Sequence, residues 1–396
     1  MKKLLFILFF GSIYYSYGQI SVINNFENSN CEFLNFDDSN NLFLFRPELK
    51  DSLNTTRCWF YFGLTGFDTS RNLILSEKVA SLYHAPSNLI YSYDKKNWKR
   101  KKYDSVVNNI RYYSKKYTKD TVWFATGYPY TYSKLLKYSD SISAYIDTFT
   151  LCMSEGGLRV PIYKIQDKKA KPEYMILIIA RQHAFESLSN YFLEGMINFL
   201  TDTDRLSIEL KKKVCLYIVP MMDVDNVYKG ASGRMQKPID FNRNWTIDSY
   251  WSAVAAVKEL VNEKTKNQEL LVFLDIHSTY PGGFRPLTGI YNIYNSNEPN
   301  FFNFKHFCRI FKKSACYSLI EINGLYNSKK RGFADEFFGK NPIERYNAKY
   351  FSTTIECDWN TNNNGEELTI DELKQTGYLF AKSIAIFLNK KNFTAK

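Results

Sequence analysis

Ile178-Ile-Ala-Arg-Gln-His-Ala-Phe-Glu186 joins an apolar, strand-like run to a segment with helical periodicity. His183 and Glu186 therefore follow the carboxyl end of a predicted buried strand, which is where open α/β sheets bind their ligands. A histidine and a carboxylate three residues apart can share one face of a first helical turn and bind the same metal ion. The stretch thus predicts the type of fold and two ligands of a metal site.

Outward from this stretch, apolar strands alternate with amphipathic helices. Predicted strands cover residues 174–181, 214–221, 270–277 and 352–356, and predicted helices cover 135–145, 187–200, 251–263, 301–313 and 370–388. That alternation is typical of an α/β domain with a mixed, mostly parallel sheet flanked by helices. We assign this domain to residues 129–392.

The first part of the chain has a different pattern. Short aromatic and β-branched runs at residues 41–45, 58–62, 88–93 and 121–125 are separated by turn-forming residues, and no long helical period occurs. This pattern predicts an antiparallel β-sandwich domain, which we assign to residues 19–128. Two domains are also expected because 396 residues exceed one ordinary hydrophobic core.

Residues 1–18 resemble a cleavable signal peptide, because Lys2 and Lys3 precede a short apolar run and small residues precede a predicted cut near Gln19. We therefore expect a secreted or periplasmic protein without stable membrane insertion, since the run is too short for a typical membrane span. Removing the two lysines lowers the formal charge from +12 to +10. No basic run exceeds four residues, so the charge does not favour nucleic-acid binding.

Seven cysteines would enter an oxidising compartment. Their odd number leaves at least one thiol free or paired outside the chain. No C-x-x-C spacing occurs, which argues against a cysteine zinc site. Cys31 with Cys58, or Cys308 with Cys316, could form a disulfide, and spacing alone does not decide the pairing.

A catalytic zinc site needs three protein ligands and one open position. The chain has only four histidines. His277 ends a second apolar strand and can join His183 and Glu186; the alternative is that the two histidines are unrelated polar residues at strand ends. Phe-rich surroundings favour a packing or surface role for His306, and we interpret His84 as an ordinary surface or loop histidine.

Three further positions offer chemistry beside such a site. Glu356 ends a predicted strand and could take a proton from a metal-activated water, although a solvated strand end explains it equally well. Asn242 and Arg243 supply an amide and a guanidinium that suit a carboxylate. Arg234 follows a Gly-Ala-Ser-Gly loop and could reach a developing oxyanion.

Asp240 could accept the second ring N–H of a ligating histidine, as carboxylates near metal sites commonly do. Taken singly, Asp240, Arg234, Asn242 and Arg243 are more often ordinary salt-bridge partners.

In this order, the motifs resemble those of the zinc carboxypeptidases, and most closely the cytosolic-carboxypeptidase-like branch. The resemblance is carried by Arg-Gln-His-Ala-Phe-Glu at 181–186, Ile-Val-Pro-Met at 218–221, Asp-Phe-Asn-Arg-Asn-Trp at 240–245, Trp-Phe-Tyr-Phe at 59–62 and Tyr-Pro-Tyr-Thr-Tyr at 128–132. It covers nearly the whole chain after residue 18. It implies a zinc carboxypeptidase-like catalytic domain preceded by a β-sandwich.

The resemblance also implies a role for each candidate residue. The implied roles are one zinc ion held by His183, Glu186 and His277; Glu356 as general acid/base; Arg234 as the residue that polarises the scissile carbonyl; Asn242 and Arg243 as the pair that binds the terminal carboxylate; and Asp240 as the partner of the first histidine.

The chain departs from the branch in loops beside the site. Asp223-Val-Asp-Asn226 stands where the branch usually has Asn-Pro-Asp-Gly, and Ala184-Phe185 replaces a Pro-Gly. The strand-final His277 also lacks the Gly-His that often follows it. These departures affect the shape of the cleft and leave every ligand in place.

Specificity in this family depends on the segment before the catalytic glutamate, here residues 326–335. Lys329, Lys330 or Arg331 could favour the acidic C-terminal residues that the branch removes; an exposed basic turn is the alternative. Ala334 is a candidate for the pocket floor, and Tyr326 is a candidate lid residue.

These features predict a zinc-dependent metallocarboxypeptidase that hydrolyses the C-terminal peptide bond of peptides or proteins, with acidic C-terminal residues as a candidate preference. Two alternatives stay open. One is an amidase or carboxypeptidase on cell-wall stem peptides, which the same site and compartment would suit. The other is a catalytically silent binding protein, against which the complete ligand set and Glu356 argue. The oligomeric state cannot be read from the sequence.

Overall fold

A computed structural model describes residues 20–50, 56–82, 84–245, 248–282, 288–291, 299–314, 320–323, 333–340, 346–359 and 367–389. Two five-stranded sheets form the first part of the chain, and an eight-stranded sheet flanked by helices forms the second. The predicted fold class is therefore confirmed. The predicted signal peptide lies outside the described residues, and the domain boundaries at residues 18 and 128 stay predictions.

Ten short strands build the first part: β1 (Ser21–Ile23), β2 (Glu32–Asp37), β3 (Leu42–Arg46), β4 (Tyr61–Thr65), β5 (Leu73–Lys78), β6 (Asn88–Ser92), β7 (Trp98–Lys102), β8 (Ser105–Val107), β9 (Ile110–Lys115) and β10 (Val122–Ala125). One sheet has the order β1-β4-β10-β6-β7 and the other β2-β3-β5-β9-β8. Aromatic rings fill the space between them, with Phe45 of one sheet 4.9 Å from Phe62 of the other.

The antiparallel sandwich contains one pair of parallel strands. β3 and β5 run parallel, whereas the other paired strands of both sheets are antiparallel. Between them the chain crosses to the other sheet and forms β4. It therefore returns to its first sheet in the original direction, which a two-residue hairpin could not do.

Glu77 on β5 is a buried carboxyl in the sandwich, and it gives a testable prediction. Burial raises its pKa to about 7, although Arg111 and a bond from the Tyr113 hydroxyl oppose the rise. A carboxyl with a raised folded-state pKa stabilises the protein below its unfolded-state pKa, and this stability is lost as pH rises to the folded-state value. Relative to wild type, Glu77→Gln should gain up to about 3 kcal/mol between pH 4.5 and pH 7.

Urea unfolding at several pH values measures this difference. Glu32→Gln is the matched control with the opposite sign, because the hydrogen bond from Arg46 lowers the pKa of Glu32. That variant should lose stability, relative to wild type, above pH 4.5. Parallel pH curves for Glu77→Gln and wild type would refute the assignment.

Eight strands form the second sheet: β11 (Asp147–Met153), β12 (Arg159–Ile165), β13 (Tyr174–Ala180), β14 (Val214–Val219), β15 (Glu269–Ser278), β16 (Thr288–Tyr291), β17 (Ile320–Asn323) and β18 (Tyr346–Cys357). Their order is β11-β12-β14-β13-β15-β18-β16-β17. The central strands β14, β13, β15 and β18 are parallel. Both faces of these strands are covered, which explains the nearly continuous apolar runs of β13 and β14.

The described residues include eight α-helices: α1 (Tyr132–Ser141), α2 (Leu188–Thr201), α3 (Arg205–Lys213), α4 (Val224–Lys229), α5 (Ser252–Lys264), α6 (Pro299–Ser314), α7 (Ala334–Lys340) and α8 (Ile370–Asn389). Helix α2 follows the metal-ligand stretch and packs its apolar side chains against α8, where Phe192 contacts Phe380 and Phe199 contacts Tyr378. Each such buried side chain contributes about 2 kcal/mol. This packing fixes the start of α2, and with it the turn that carries Glu186.

Two further observations bear on the predictions. The six described cysteines (31, 58, 152, 215, 308 and 357) are thiols, so a Cys31–Cys58 disulfide is not formed; Cys316 lies outside the described residues. Within the described part of the chain, no helix has the length and apolar character needed to cross a bilayer.

Candidate active site

Three parallel strands bring the candidate residues to one edge of the sheet. In the register, Ala180 at the end of β13 pairs with Ile276 of β15, and the next residue, His277, pairs with Glu356 of β18. His183 follows β13 by three residues. The carboxyl ends of neighbouring parallel strands lie together, so residues far apart in the sequence meet here.

His183, Glu186 and His277 form a compact buried cluster. Their ligand atoms all lie within 4.8 Å of one another. The two oxygens of Glu186 are 2.7 Å from Nδ1 of His183 and 2.8 Å from Nδ1 of His277. Burial opposes ionisation of Glu186, but the two imidazoles outweigh it and lower its pKa to about 2. The carboxylate is therefore held in the charged form that a cation requires.

Each histidine turns its other nitrogen towards a second carboxylate. Nε2 of His183 lies 3.2 Å from Oδ1 of Asp240, and Nε2 of His277 lies 2.8 Å from Oδ2 of Asp275. Metal-binding histidines usually donate their second N–H to such a group, which leaves the first nitrogen as the ligand. Two imidazoles oriented in this way, with one carboxylate, match the ligand set of a catalytic zinc site.

Asp275 and its support were not predicted. Asp275 is fully buried, and its Oδ2 accepts a 2.7 Å bond from the amide of Gln182, whose oxygen accepts a bond from the Trp245 indole. The sequence did contain a signal, because residues i and i+2 of a strand point the same way and Asp275 stands two before His277.

Asp275→Asn should weaken zinc binding roughly 10- to 100-fold, because the amide keeps the shape and removes the charge that orients His277. Competition with a chromophoric chelator measures the affinity. Asp335→Asn is the matched control. Asp335 is also buried, but its carboxylate accepts a bond from the hydroxyl of Thr354 and not from a histidine of the cluster. Equal affinities for Asp275→Asn and wild type would show that Asp275 does not support the site.

Arg181, at the start of the ligand turn, has a structural role that the sequence did not reveal. It is fully buried with a φ of 60°, a left-handed conformation uncommon outside glycine. Its guanidinium donates two bonds to the carbonyl of Ala184, at 2.8 and 2.5 Å, and one to Asn190 at 2.7 Å. The buried side chain of Arg181 therefore stabilises the turn between His183 and Glu186.

Arg234 reaches the same site from the loop after α4. Its Nη1 lies 2.7 Å from Nε2 of His183 and 3.6 Å from Oδ2 of Asp240, and its Nε donates to the Tyr280 hydroxyl at 3.0 Å. Burial opposes ionisation of Asp240, but His183 and Arg234 outweigh it and hold the pKa of Asp240 well below its usual range. The site therefore has a charged guanidinium beside the ligand cluster.

Asn242 and Arg243 lie in a short 3₁₀ turn, Phe241–Arg243, that Asp240 caps. The Asn242 amide is buried, 3.2 Å from Nε2 of His277, and its oxygen accepts a bond from the backbone of Ala334. Arg243 is about a third exposed, and its guanidinium carbon lies 3.9 Å from the ring centre of Phe333. Arg243 is thus the more accessible of the two.

Glu356 lies beside the cluster without belonging to it. Within the described residues, no group hydrogen-bonds its buried Oε2. Burial raises the pKa of Glu356 to about 7, with the Glu186 carboxylate adding to the rise. A carboxyl group with an uncommitted oxygen beside a metal-ligand cluster has the placement expected of a general base.

A family profile matches the part of the chain that carries several of the candidate residues. The family profile described as zinc carboxypeptidase matches residues 131–270, which include His183, Glu186 and all the candidates up to Arg243. Over these residues the chain resembles the zinc carboxypeptidases. His277 and Glu356 lie beyond the matched segment, so their assignment rests on strand register and contacts.

The curated relatives that the chain resembles are cytosolic carboxypeptidases. Human cytosolic carboxypeptidase 6 is 25% identical over 262 residues, which cover 58% of this chain and 51% of the relative. Cytosolic carboxypeptidase 2 of Danio rerio is 29% identical over 277 residues, covering 58% of this chain and 37% of the relative. The chain thus spans about half or less of the length of the curated relatives it matches.

Solved structures show the same fold over nearly the whole chain. A metallo-carboxypeptidase from Burkholderia cenocepacia is 18% identical with a TM-score of 0.80, covering 94% of this chain and 99% of that one. A metallo-carboxypeptidase from Pseudomonas aeruginosa, solved with (2-guanidinoethylmercapto)succinic acid, is 18% identical with a TM-score of 0.79, covering 93% and 99%. At this identity the likeness shows the fold alone.

Most of the predicted site residues lie close together. Four others lie outside the residues that the structure describes. The structure groups His183, Glu186, His277, Asp240, Arg234, Asn242, Arg243 and Glu356 at one edge of the sheet. Their chemical roles stay predictions. Tyr326, Lys329, Lys330 and Arg331 lie outside the described residues.

His84 lies in a turn, as expected of a loop histidine. Its side chain is half-buried, and its ring lies 4.9 Å from that of Tyr280, the partner of Arg234. Burial and the charge of Arg234 lower the pKa of His84. The sandwich therefore contributes a side chain next to the candidate site.

Proposed function

We propose that this protein is a zinc-dependent metallocarboxypeptidase that removes the C-terminal residue of peptides or proteins. One observation carries the proposal: the Nδ1 atoms of His183 and His277 face the two oxygens of Glu186, while each Nε2 faces a further carboxylate. The match of residues 131–270 to the zinc carboxypeptidase profile supports the same function.

The zinc ion would be held by His183, Glu186 and His277. When bound there, zinc would act as a Lewis acid on the scissile carbonyl and lower the pKa of water. Zinc dependence is tested by removing the metal with a chelator and adding back zinc or magnesium. Recovery with zinc alone supports the proposal, because two imidazoles and one carboxylate suit zinc better than magnesium. Full activity without metal would overturn it.

The chain's own residues would then divide the work. Arg243, with Asn242, would bind the free carboxylate of the peptide and so place the last amide bond at the site. Arg234 would donate to the carbonyl oxygen as negative charge develops on it. Glu356 would take a proton from the attacking water and return it to the leaving amine. These roles are supported by the position of all four residues at the edge of the sheet that carries the ligand cluster.

Mass spectrometry of peptide digests tests the reaction type. The zinc-loaded protein should shorten peptides of known sequence by one residue at a time from the carboxyl end. Internal fragments as first products would show an endopeptidase. If the peptides stay intact although every chain holds zinc, the protein binds peptides without hydrolysing them.

We propose, further, a preference for acidic C-terminal residues. Its support is the resemblance to the cytosolic-carboxypeptidase-like branch and the basic residues Lys329, Lys330 and Arg331 in the pocket segment. A set of peptides that differ only in the last residue tests it. Glu or Asp should give at least about tenfold higher kcat/KM than Gln or Asn, since burying an unpaired charge-binding group is costly. Equal values would refute the preference.

We also propose that the protein is exported and cleaved near Gln19. The lysines at positions 2 and 3 and the apolar run after them support this proposal. N-terminal sequencing of the protein from its native cells, after separating cell and medium fractions, tests it. A protein that begins at Met1 inside the cell would overturn it.

A further inference from the structure

The segment that carries Arg234 is held by the β-sandwich. Gly230 caps the carboxyl end of helix α4, and the amide of Asn30 donates to the Gly230 carbonyl at 2.7 Å. The amide of Asn28 donates to the Val227 carbonyl at 2.7 Å, and the backbone N–H of Cys58 donates to the Ser232 hydroxyl at 2.9 Å. Asn28 and Asn30 are almost fully buried. Buried amides that lose such bonds are costly, so these contacts are strong constraints.

The approach of the sandwich to this loop is close. Gly230 has a φ of 73°, and a Cβ at this position would lie 2.2 Å from the carbonyl oxygen of Ser29. The sandwich backbone therefore rests directly against the end of α4. The segment Asn28–Asn30 is itself anchored, because Asn30 exchanges two backbone bonds with Tyr61 and the Trp59 indole donates to the Asn28 carbonyl.

The opposite side of the loop touches the metal-ligand turn. The backbone N–H of Phe185 donates to the carbonyl of Ser232 at 2.9 Å, and a Cβ on Gly233 would lie 2.5 Å from the Ala184 nitrogen. Residues 230–233 are thus clamped between the sandwich and the turn that presents His183 and Glu186. Arg234 is the next residue, so the clamp determines where its side chain starts.

A second contact reaches Arg234 through its side chain. His84 of the sandwich packs against Tyr280, and the Tyr280 hydroxyl accepts the bond from Nε of Arg234. The sandwich therefore contacts both the loop that leads into Arg234 and Tyr280, the residue that accepts a bond from its guanidinium.

We propose that the β-sandwich is a positioning element of the active site: Asn28 and Asn30 latch residues 227–232 and thereby fix the position of Arg234. The inference rests on the proposed function for its kinetic consequence, but the latch itself is a property of the fold. Asn28 and Asn30 are positioning residues that touch no substrate.

Asn30→Ala tests the kinetic consequence. In the zinc-loaded protein, kcat should fall about tenfold or more, because a misplaced charge stabiliser loses much of its effect, while zinc affinity is unchanged. Asn41→Ala is the matched control. Asn41 is a buried asparagine whose side-chain amide donates to the backbone carbonyls of Asp68 and Asn72, both within the sandwich. It should lose stability and keep kcat. An equal fall of kcat in both variants would overturn the proposal.

A double-mutant cycle separates latching from general damage. If Asn30 acts through Arg234, Asn30→Ala should have no further effect on kcat in the Arg234→Ala background. Additive losses would overturn the proposal. Asn28→Gly is the second variant, should Asn30→Ala fail to fold, because glycine keeps the positive φ of Asn28 and removes only its amide.

Hydrogen exchange tests the latch without any enzymatic readout. Backbone amides of residues 227–234 should exchange at least about tenfold faster in Asn30→Ala than in wild type, and Asn41→Ala should leave them unchanged. If wild type hydrolyses no peptide but the exchange differs as expected, the proposed function fails and the latch stands. If Asn30→Ala leaves exchange unchanged, the latch fails whatever the activity.

Discussion

Glu356→Gln should lower kcat for peptide hydrolysis by about 10³-fold while zinc content stays at one ion per chain. The reason is that glutamine fills the same space but cannot take a proton from the attacking water. Glu356 lies opposite His277 in the sheet register, and its buried Oε2 makes no hydrogen bond within the described residues. Steady-state kinetics on a single peptide, with metal analysis of the same sample, provides the measurement.

The size of this effect depends on the role of Glu356. Activity within about tenfold of wild type would mean that another group takes the proton, since general base catalysis usually contributes 10²- to 10⁴-fold. Asp358→Asn is a useful control. Asp358 follows two residues later and is buried, but its Oδ1 accepts a bond from the backbone of Trp359.

His277→Ala should abolish zinc binding and the stability that zinc confers. At a free zinc concentration of 1,000 times the Kd, wild type gains about 4 kcal/mol of unfolding free energy over the zinc-free protein. His277→Ala should show almost no such difference, because two ligands are left and Asp275 loses the partner that it orients. Thermal unfolding with and without zinc provides the comparison.

His306→Ala is the matched histidine control. His306 lies on α6, with its ring 5.8 Å from that of Phe387, so its loss should leave the zinc-dependent gain intact. If His277→Ala keeps the full gain, zinc binds elsewhere and the proposed centre is wrong.

The elements that the sequence predicted well are those whose burial requires a regular pattern of apolar residues. The runs that became β13, β14 and residues 270–274 of β15 are apolar because both faces are covered, and the large apolar residues of α2 recur at helical spacing. The β11–β12 hairpin escaped prediction because it stands at the edge of the sheet. Phe149 and Met153 of β11 are about half exposed, so no clean alternation marks that strand.

The site shows the same division between local and long-range information. His277 and Glu356 could be found because each ends a strand in the sequence itself. A role for Arg181 could not be assigned from the sequence. Its contact with Ala184 depends on a left-handed backbone conformation, which no sequence pattern here predicts. The contact of His84 with Tyr280 was not predicted because the two residues are 196 positions apart in the sequence, and the docking of the sandwich brings their rings together.

Two peptides of one sequence, one with a free C-terminal carboxylate and one with a C-terminal amide, test the central claim most directly. Arg243 and Asn242 are proposed to hold the carboxylate, so the zinc-loaded protein should remove one residue from the free acid. It should cleave the amide at least about 100-fold more slowly, since a charge-assisted bond at a partly buried arginine is lost. Equal rates on the two peptides would contradict the assignment of this protein as a carboxypeptidase.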